Sequence, residues 1–425
     1  MDSILNAIGV FFDWINSLGA TVMLPIALFL IGLAFRVKAG SAFVNALKVG
    51  IGFFGLNVMI GVVASNIGPL ASAIVERTGL DLAIPDVGVG LHFGITFSLA
   101  AAAFMIPLGI LVNVIMLLLK WTKTVDIDVW NFWPWMFSWA LVQGLTGNAL
   151  LGFLAFVITG VLSLLLGDLQ AKYIQEYYNL PGISFPHPFS SFWGLLAWPF
   201  MWVFDRIPGF KDWDADIETL QKKLGPFGNS TVIGLVIGLI LAFAAGYNVI
   251  TALQTGVIVA AILLLMPEMI KILVSGLFPI SEAARDLLSK RFPGREFYIG
   301  LDCAVGVAQP SAIVVGVLLI PITLILAAIL PGNRLLPLAD LAFLGFWVAT
   351  PMAMFKNNII RGVIYGTVAM AISLWMATSI APLVTTLGVA AGTALPEGTN
   401  AISMLTIYPW SWVEAFITSL FTGGF

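Results

Sequence analysis

Asp86-Val87-Gly88-Val89-Gly90 is echoed 216 residues later by Asp302-Cys303-Ala304-Val305-Gly306. Each stretch carries an acid, then small and apolar residues, and each stands just ahead of a long apolar run. Working outward, Ile106-Pro107 matches Ile320-Pro321, and Asp126 with Phe132-Trp133 matches Asp340 with Phe346-Trp347. Asn148, Gly152 and Ser163-Leu164 match Asn358, Gly362 and Ser373-Leu374. Upstream, Ala46-Leu47 and Gly50 match Ala252-Leu253 and Gly256. The matches keep their order, and their offset stays between 206 and 216 residues. The chain therefore reads as two related halves.

Composition says what those halves are made of. Of 425 residues, 60% are hydrophobic and 10% charged, against about 25% charged in a soluble domain. There is too little polar side chain to cover a soluble protein of this length. The balance excludes a cytosolic enzyme and a disulfide-stapled secreted protein. Net charge is -3, with no basic run to follow a phosphate backbone, so nucleic acid is excluded as a partner. The single cysteine, Cys303, forms no metal-ligand spacing, and no residue pattern calls for a metal or cofactor. An all-α polytopic membrane protein remains. At roughly 20 residues per span, about eleven transmembrane helices are expected, near 20–36, 43–66, 93–119, 130–145, 147–167, 229–246, 249–275, 305–330, 340–355, 357–379 and 404–422.

The basic residues orient these spans. All but Arg77 and Arg334 of the 19 lysines and arginines fall in odd-numbered loops. The positive-inside rule puts those loops in the cytoplasm, the N-terminus outside and the C-terminus inside. Five spans per half is an odd number, so two copies in one chain face opposite ways. Inverted five-helix repeats are the mark of alternating-access transport, with substrate near the midplane where the repeats meet.

The expected organisation follows. Residues 1–19 form an N-terminal amphipathic helix, with Ile4, Ile8, Phe11 and Ile15 on one face. The first five-helix repeat spans 20–168. A cytoplasmic linker covers 169–228 and carries an amphipathic helix over 211–224, which Gly225-Pro226 stops. The second, inverted repeat spans 229–380, and a C-terminal loop and last helix occupy 381–425.

Polar groups at membrane depth are expensive and mark function. Asp86 and Asp302 sit among glycines, where backbone approaches a ligand closely, and a carboxylate accepts hydrogen bonds from vicinal hydroxyls. Each is equally able to cap the helix that follows it. His187 lies between Pro186 and Pro188, held out of a helix, as a hydroxyl partner or a base in phosphoryl transfer. His92 follows the Asp86 loop, and Gln309 beside Pro310 follows the Asp302 loop. Trp133 belongs to a crowd with Trp130, Trp135 and Trp139. That crowd reads either as a sugar-stacking wall or as an interfacial aromatic belt.

Several stretches carry a family resemblance. They are Met23-Leu24-Pro25-Ile26, Val125-Asp126-Ile127-Asp128-Val129-Trp130-Asn131, Ile183 to His187, Asp216-Ile217 through Gly225-Pro226-Phe227-Gly228, Glu296-Phe297-Tyr298-Ile299-Gly300-Leu301-Asp302, and Pro331-Gly332-Asn333. In these the chain resembles the IIC membrane component of the bacterial phosphotransferase system, in its galactitol family, and more distantly the ascorbate type. The resemblance implies a homodimer in the cytoplasmic (inner) membrane, with an elevator-type core that moves past a V-shaped scaffold of spans 1, 2, 6 and 7. It implies a polyol substrate such as galactitol, and soluble IIB and IIA partners, with the phosphoryl group on a separate IIB cysteine. It also implies ligand contact by Asp302 and His187. Pro188 departs from the family, which has glycine after that histidine. The competing expectation is a proton-coupled secondary transporter of a polyol or of a sugar acid such as ascorbate, with Asp86 or Asp302 as the proton site.

Overall fold

A computed structural model describes residues 20–78, 82–126, 128–208, 230–301, 304–307, 309–337, 339–396 and 399–423. The expected amphipathic helices over 1–19 and 211–224, and Asp302, lie outside them. Helices dominate, as the composition requires. They are α1 Ala20–Ala34, α2 Ala39–Thr78, α3 Gly90–Phe97, α4 Met105–Leu118, α5 Trp133–Thr146, α6 Ala149–Tyr177 and α7 Pro188–Phe204. Then come α8 Ser230–Ala244, α9 Val249–Arg291, α10 Ala304–Val307, α11 Pro310–Ile329, α12 Gly345–Met354, α13 Ile359–Ala390 and α14 Pro409–Thr422. Among the described residues, three are long and apolar enough to cross a bilayer by themselves: α6, α11 and α13. Met105–Leu118, Gly234–Ala244 and Val249–Ile262 are shorter apolar helical stretches.

Among the described residues, five very short strands interrupt the helices: β1 Ile84–Pro85, β2 Thr124–Asp126, β3 Ile183–Ser184, β4 Tyr298–Gly300 and β5 Leu335–Leu336. Their pairing is long-range and parallel. β1 pairs with β5, and Asp86 bridges to Ser403. β4 lies between β2 and β3. In each cluster the central strand comes from one half of the chain and both flanking segments from the other.

The order of elements recurs. A helix, a long helix, a strand, a short helix and a further helix are followed by a strand, a 3-10 turn, two helices, a strand-like pairing and a helix opened by proline. That order runs once from Ala20 to Phe204 and again from Ser230 to Thr422. Equivalent positions do equivalent work. Asn148 Oδ1 caps α6 by accepting from the Leu150 and Leu151 amides, and Asn358 caps α13 by accepting from Arg361 N, which satisfies otherwise orphan helix-end donors. The recurrence extends past residue 168. α6 runs through that position to Tyr177, and α7 is a core helix with Phe189, Ser190, Ser191 and Trp193 buried.

Packing divides the helices. α1, α2, α8 and α9 pack chiefly on one another, while α5 packs on α6 and α14, α7 on α12, and α11 on α13. Glycines let tryptophan rings seat closely against α6 in the second group. A Cβ on Gly160 of α6 would stand 2.6 Å from the Trp135 ring, and one on Gly152 would stand 2.3 Å from Trp139. Trp133, Trp135 and Trp139 are buried in this core, so these three of the tryptophan crowd do not form an interfacial belt.

Candidate functional site

The site is framed by two aspartates. Asp86, one residue beyond β1, accepts from Gly88 N at 2.9 Å and Leu405 N at 3.4 Å through Oδ1, and from Asp340 N at 2.9 Å through Oδ2. Asp340 in turn accepts from Val89 N at 2.9 Å, Thr406 N at 2.9 Å and Thr406 Oγ1 at 2.6 Å. Two buried carboxyl groups thus hold three separate segments, 86–89, 340 and 405–406, through hydrogen bonds from backbone amides and the Thr406 hydroxyl. Gly88 makes its turn at φ +77, where a side chain is strained. In this arrangement Asp86 accepts from backbone amides of its own turn and of two remote segments, and the following helix α3 has no side-chain cap bond.

His92 attaches to the same frame. Its Nε2 lies 2.8 Å from Thr406 O. A carbonyl only accepts, so Nε2 carries the hydrogen and Nδ1 of the neutral ring is an acceptor. Among the described residues Nδ1 has no hydrogen-bond partner, and it is buried. The ring packs against Phe137 at 4.0 Å, Tyr408 at 4.7 Å and Trp133 at 5.6 Å between centroids. Trp133 stacks one face on Phe93 at 4.4 Å and meets Tyr408 edge-on at 5.7 Å.

His187 reaches the cluster from the other half of the frame. β3 sets it there: Leu301 N donates to Ser184 O at 3.0 Å, which pins the chain ahead of His187 beside the segment that leads to Asp302. His187 is the extended residue before Pro188, the first residue of α7. Its ring stands 5.9 Å from Tyr408. Tyr408 is likewise the extended residue before Pro409, the first residue of α14. Proline suits the first helical position because its missing N–H would be unpaired there. Gln309 has the same place before Pro310 and α11, half-buried, with no side-chain cap bond.

Three of the candidate residues, His92, Trp133 and His187, therefore converge on Tyr408, which the sequence reading did not single out. The signal was present as Tyr408-Pro409, the counterpart of His187-Pro188. The cluster lies deep in the bundle. α7 ends at Asp205, whose carboxylate pairs with Arg361 near the start of α13 at 3.0 Å. The first turn of α14 meets α13 where Trp412 Nε1 donates to Ser379 Oγ at 2.8 Å, 18 residues or about 27 Å along that helix. The two proline-opened helices leave their meeting point in opposite directions. On the outer rim of the β2–β4 pair, Lys123 Nζ donates to Glu296 at 2.7 Å, and this hydrogen bond holds the Glu296 carboxyl below its ordinary range. No group of three metal-ligating side chains occurs among the described residues.

Comparison with known proteins places this architecture. Residues 14–398 match the family model of the PTS system sugar-specific permease component, EIIC-GAT. The chain is 39% identical over 391 residues to the PTS system galactitol-specific EIIC component of Escherichia coli strain K12, covering 92% of this chain and 86% of that protein. The corresponding protein of Escherichia coli O157:H7 matches with the same identity and coverage. A permease IIC component of strain K12 is 38% identical over 403 residues, covering 94% of this chain and 92% of that one. A membrane-spanning helical chain matched over nearly its whole length at this identity belongs to the sugar-specific permease (EIIC) family of the PTS.

Proposed function

We propose that this chain binds a galactitol-like polyol at the cluster of His92, Trp133, His187 and Tyr408 and translocates it across the membrane for phosphorylation by a soluble IIB partner, itself charged by IIA. The observation that carries this reading is the convergence of three sequence-distant polar or aromatic residues on Tyr408 in a buried cluster. The buried His92 Nδ1 is an acceptor suited to a polyol hydroxyl, since a buried acceptor left unpaired costs about 1–3 kcal/mol. Trp133 and Tyr408 supply aromatic surface for the C–H face of the ligand. Asp302 and Gln309, at the head of the segment entering α11, complete the contacts, while Asp86 holds the frame. The protein supplies position and electrostatics for the phosphoryl transfer, and IIB supplies the group.

The recurring element order supports two inverted repeats, extended beyond five helices by the pair α7 and α14. On this reading ten helices cross and these two re-enter, and α14 leaves on the side opposite to α7, so the chain ends outside rather than in the cytoplasm. α1, α2, α8 and α9, which pack on one another, form the scaffold and the dimer surface. The remaining helices form the mobile elevator core.

Uptake in vesicles supplied with IIA, IIB and phosphoenolpyruvate tests the function. Phosphorylated polyol is the expected internal product. Accumulation of free polyol, dependent on a proton gradient and indifferent to IIB, overturns the reading in favour of a secondary transporter.

A further inference from the structure

Glu414 is a buried acid on α14 that the polyol cluster does not use. Its Oε1 accepts from Trp410 Nε1 at 2.8 Å. Thr159 Oγ1 of α6 lies 3.2 and 3.1 Å from its two oxygens. Thr159 Oγ1 lies 2.9 Å from Ser138 Oγ, and Ser138 Oγ lies 2.7 Å from Ser411 Oγ. Thr159 thus has one hydroxyl hydrogen for three acceptor oxygens, Ser138 Oγ and both oxygens of Glu414. A hydrogen on the carboxyl fills the contact that this leaves open.

Among the described residues no cation answers a charge at this place. Every partner of Glu414 recorded among the described residues is neutral. The helices packed on α14 are α5, α6, α7 and α13. α5 and α7 carry no titratable group. On α6, Asp168, Lys172, Tyr173, Glu176 and Tyr177 begin nine residues beyond Thr159, about 13 Å along the helix, and Asp168 is bonded to Thr122 and Thr124. On α13, Arg361 pairs with Asp205 and Tyr365 donates to Trp193 O, both far from Ser379, where α13 meets α14. His92 and His187 lie at Tyr408, six residues or about 9 Å before Glu414. A buried carboxylate without a cation neutralises instead of remaining charged, and an ionisable group at membrane depth is a functional candidate.

We infer that Glu414 is a proton-binding site whose bound proton closes the hydrogen-bond network of α14 with α5 and α6. The proton is resident, not transported. While it is in place, α14 is seated and Tyr408 stands at the cluster. Loss of the proton sets an unpaired charge against hydroxyl and indole donors too few to solvate it, and α14 shifts. Glu414 is thus a positioning residue acting through Tyr408.

Two readouts on the purified protein in nanodiscs test this. The first is the carbonyl-stretch band of a protonated carboxylic acid in the infrared difference between wild type and Glu414→Gln. It is expected near neutral pH and should disappear on alkaline titration, and its absence overturns the proposal. The second is galactitol affinity by calorimetry from about pH 6 to about pH 10. Wild type should weaken about tenfold as the band disappears, whereas Glu414→Gln, a neutral isostere, should hold the neutral-pH affinity within about twofold and stay flat. A flat wild-type profile, or the same decline in Glu414→Gln, overturns the link to Tyr408. This second readout rests on the proposed polyol site. If galactitol fails to bind at any pH, that reading fails, and the infrared band still decides the proton site. Should Glu414→Gln not fold, Ser138→Ala with Ser411→Ala keeps the carboxyl, removes its neighbours and must shift the band.

Discussion

The rings of His187 and Tyr408 stand 5.9 Å apart, each on the residue that precedes the proline opening a helix. One residue comes from each half of the chain, so the two halves present different chemistry at equivalent places. An imidazole donates or accepts as its tautomer dictates, and a phenol does both at once.

Tyr408→Phe is expected to weaken galactitol binding about fivefold to 150-fold, the loss of one hydroxyl hydrogen bond at about 1–3 kcal/mol, with the melting temperature nearly unchanged. Tyr408→Ala removes the ring that His92, Trp133 and Phe189 pack on. It should abolish binding and destabilise by about 3–5 kcal/mol. Calorimetry and thermal unfolding separate the two effects, and unchanged affinity in Tyr408→Phe removes the hydroxyl from the site.

His187→Ala divides binding from phosphoryl transfer. If the imidazole contacts the polyol, calorimetric affinity falls about tenfold, a change of about 1.4 kcal/mol, with no soluble component present. Intact affinity with slowed phosphorylation by IIB would make it a participant in the transfer step instead.

Asp340→Asn replaces an acceptor of Thr406 N, Thr406 Oγ1 and Val89 N by an amide that answers fewer of them. A loss of about 1–3 kcal/mol is expected. Asp86→Asn should behave alike, and because both carboxylates hold the same segments, the double variant should lose less than the sum. Additive losses in unfolding experiments would show that the two act separately.

Gly160→Ala places a methyl group 2.6 Å from the Trp135 ring. Trp135 is fully buried against Phe132 and Phe156 and has nowhere to retreat. Overpacking of this kind costs about 1–3 kcal/mol, seen as a lower melting temperature. Gly147→Ala, with no atom within 4 Å, adds no clash, and its penalty comes only from the positive φ of 65.

Helix content and the resemblance between the halves were legible because apolar runs and repeated residues are local signals. The strands were not. Two or three residues show no periodicity, and β1 and β4 have partners that lie 116 to 251 residues away. The backbone partners of Asp86 were not legible, because the amides that it accepts from belong to Gly88, Asp340 and Leu405, and the last two are remote in sequence. Glu414 looked like a residue of an ordinary last span. Nothing local announces that Thr159, 255 residues earlier, will meet it.

The exchange of strands bears on how the chain is made. β1 finds β5 only after residue 336 has been synthesised, and β2 and β3 wait for β4 at residues 298–300. The first half therefore leaves the ribosome with both of its strand clusters open, and such long-range pairings form late and slowly. A gene cut within the segment joining the halves should yield two pieces that insert separately yet become protease-resistant only when expressed together.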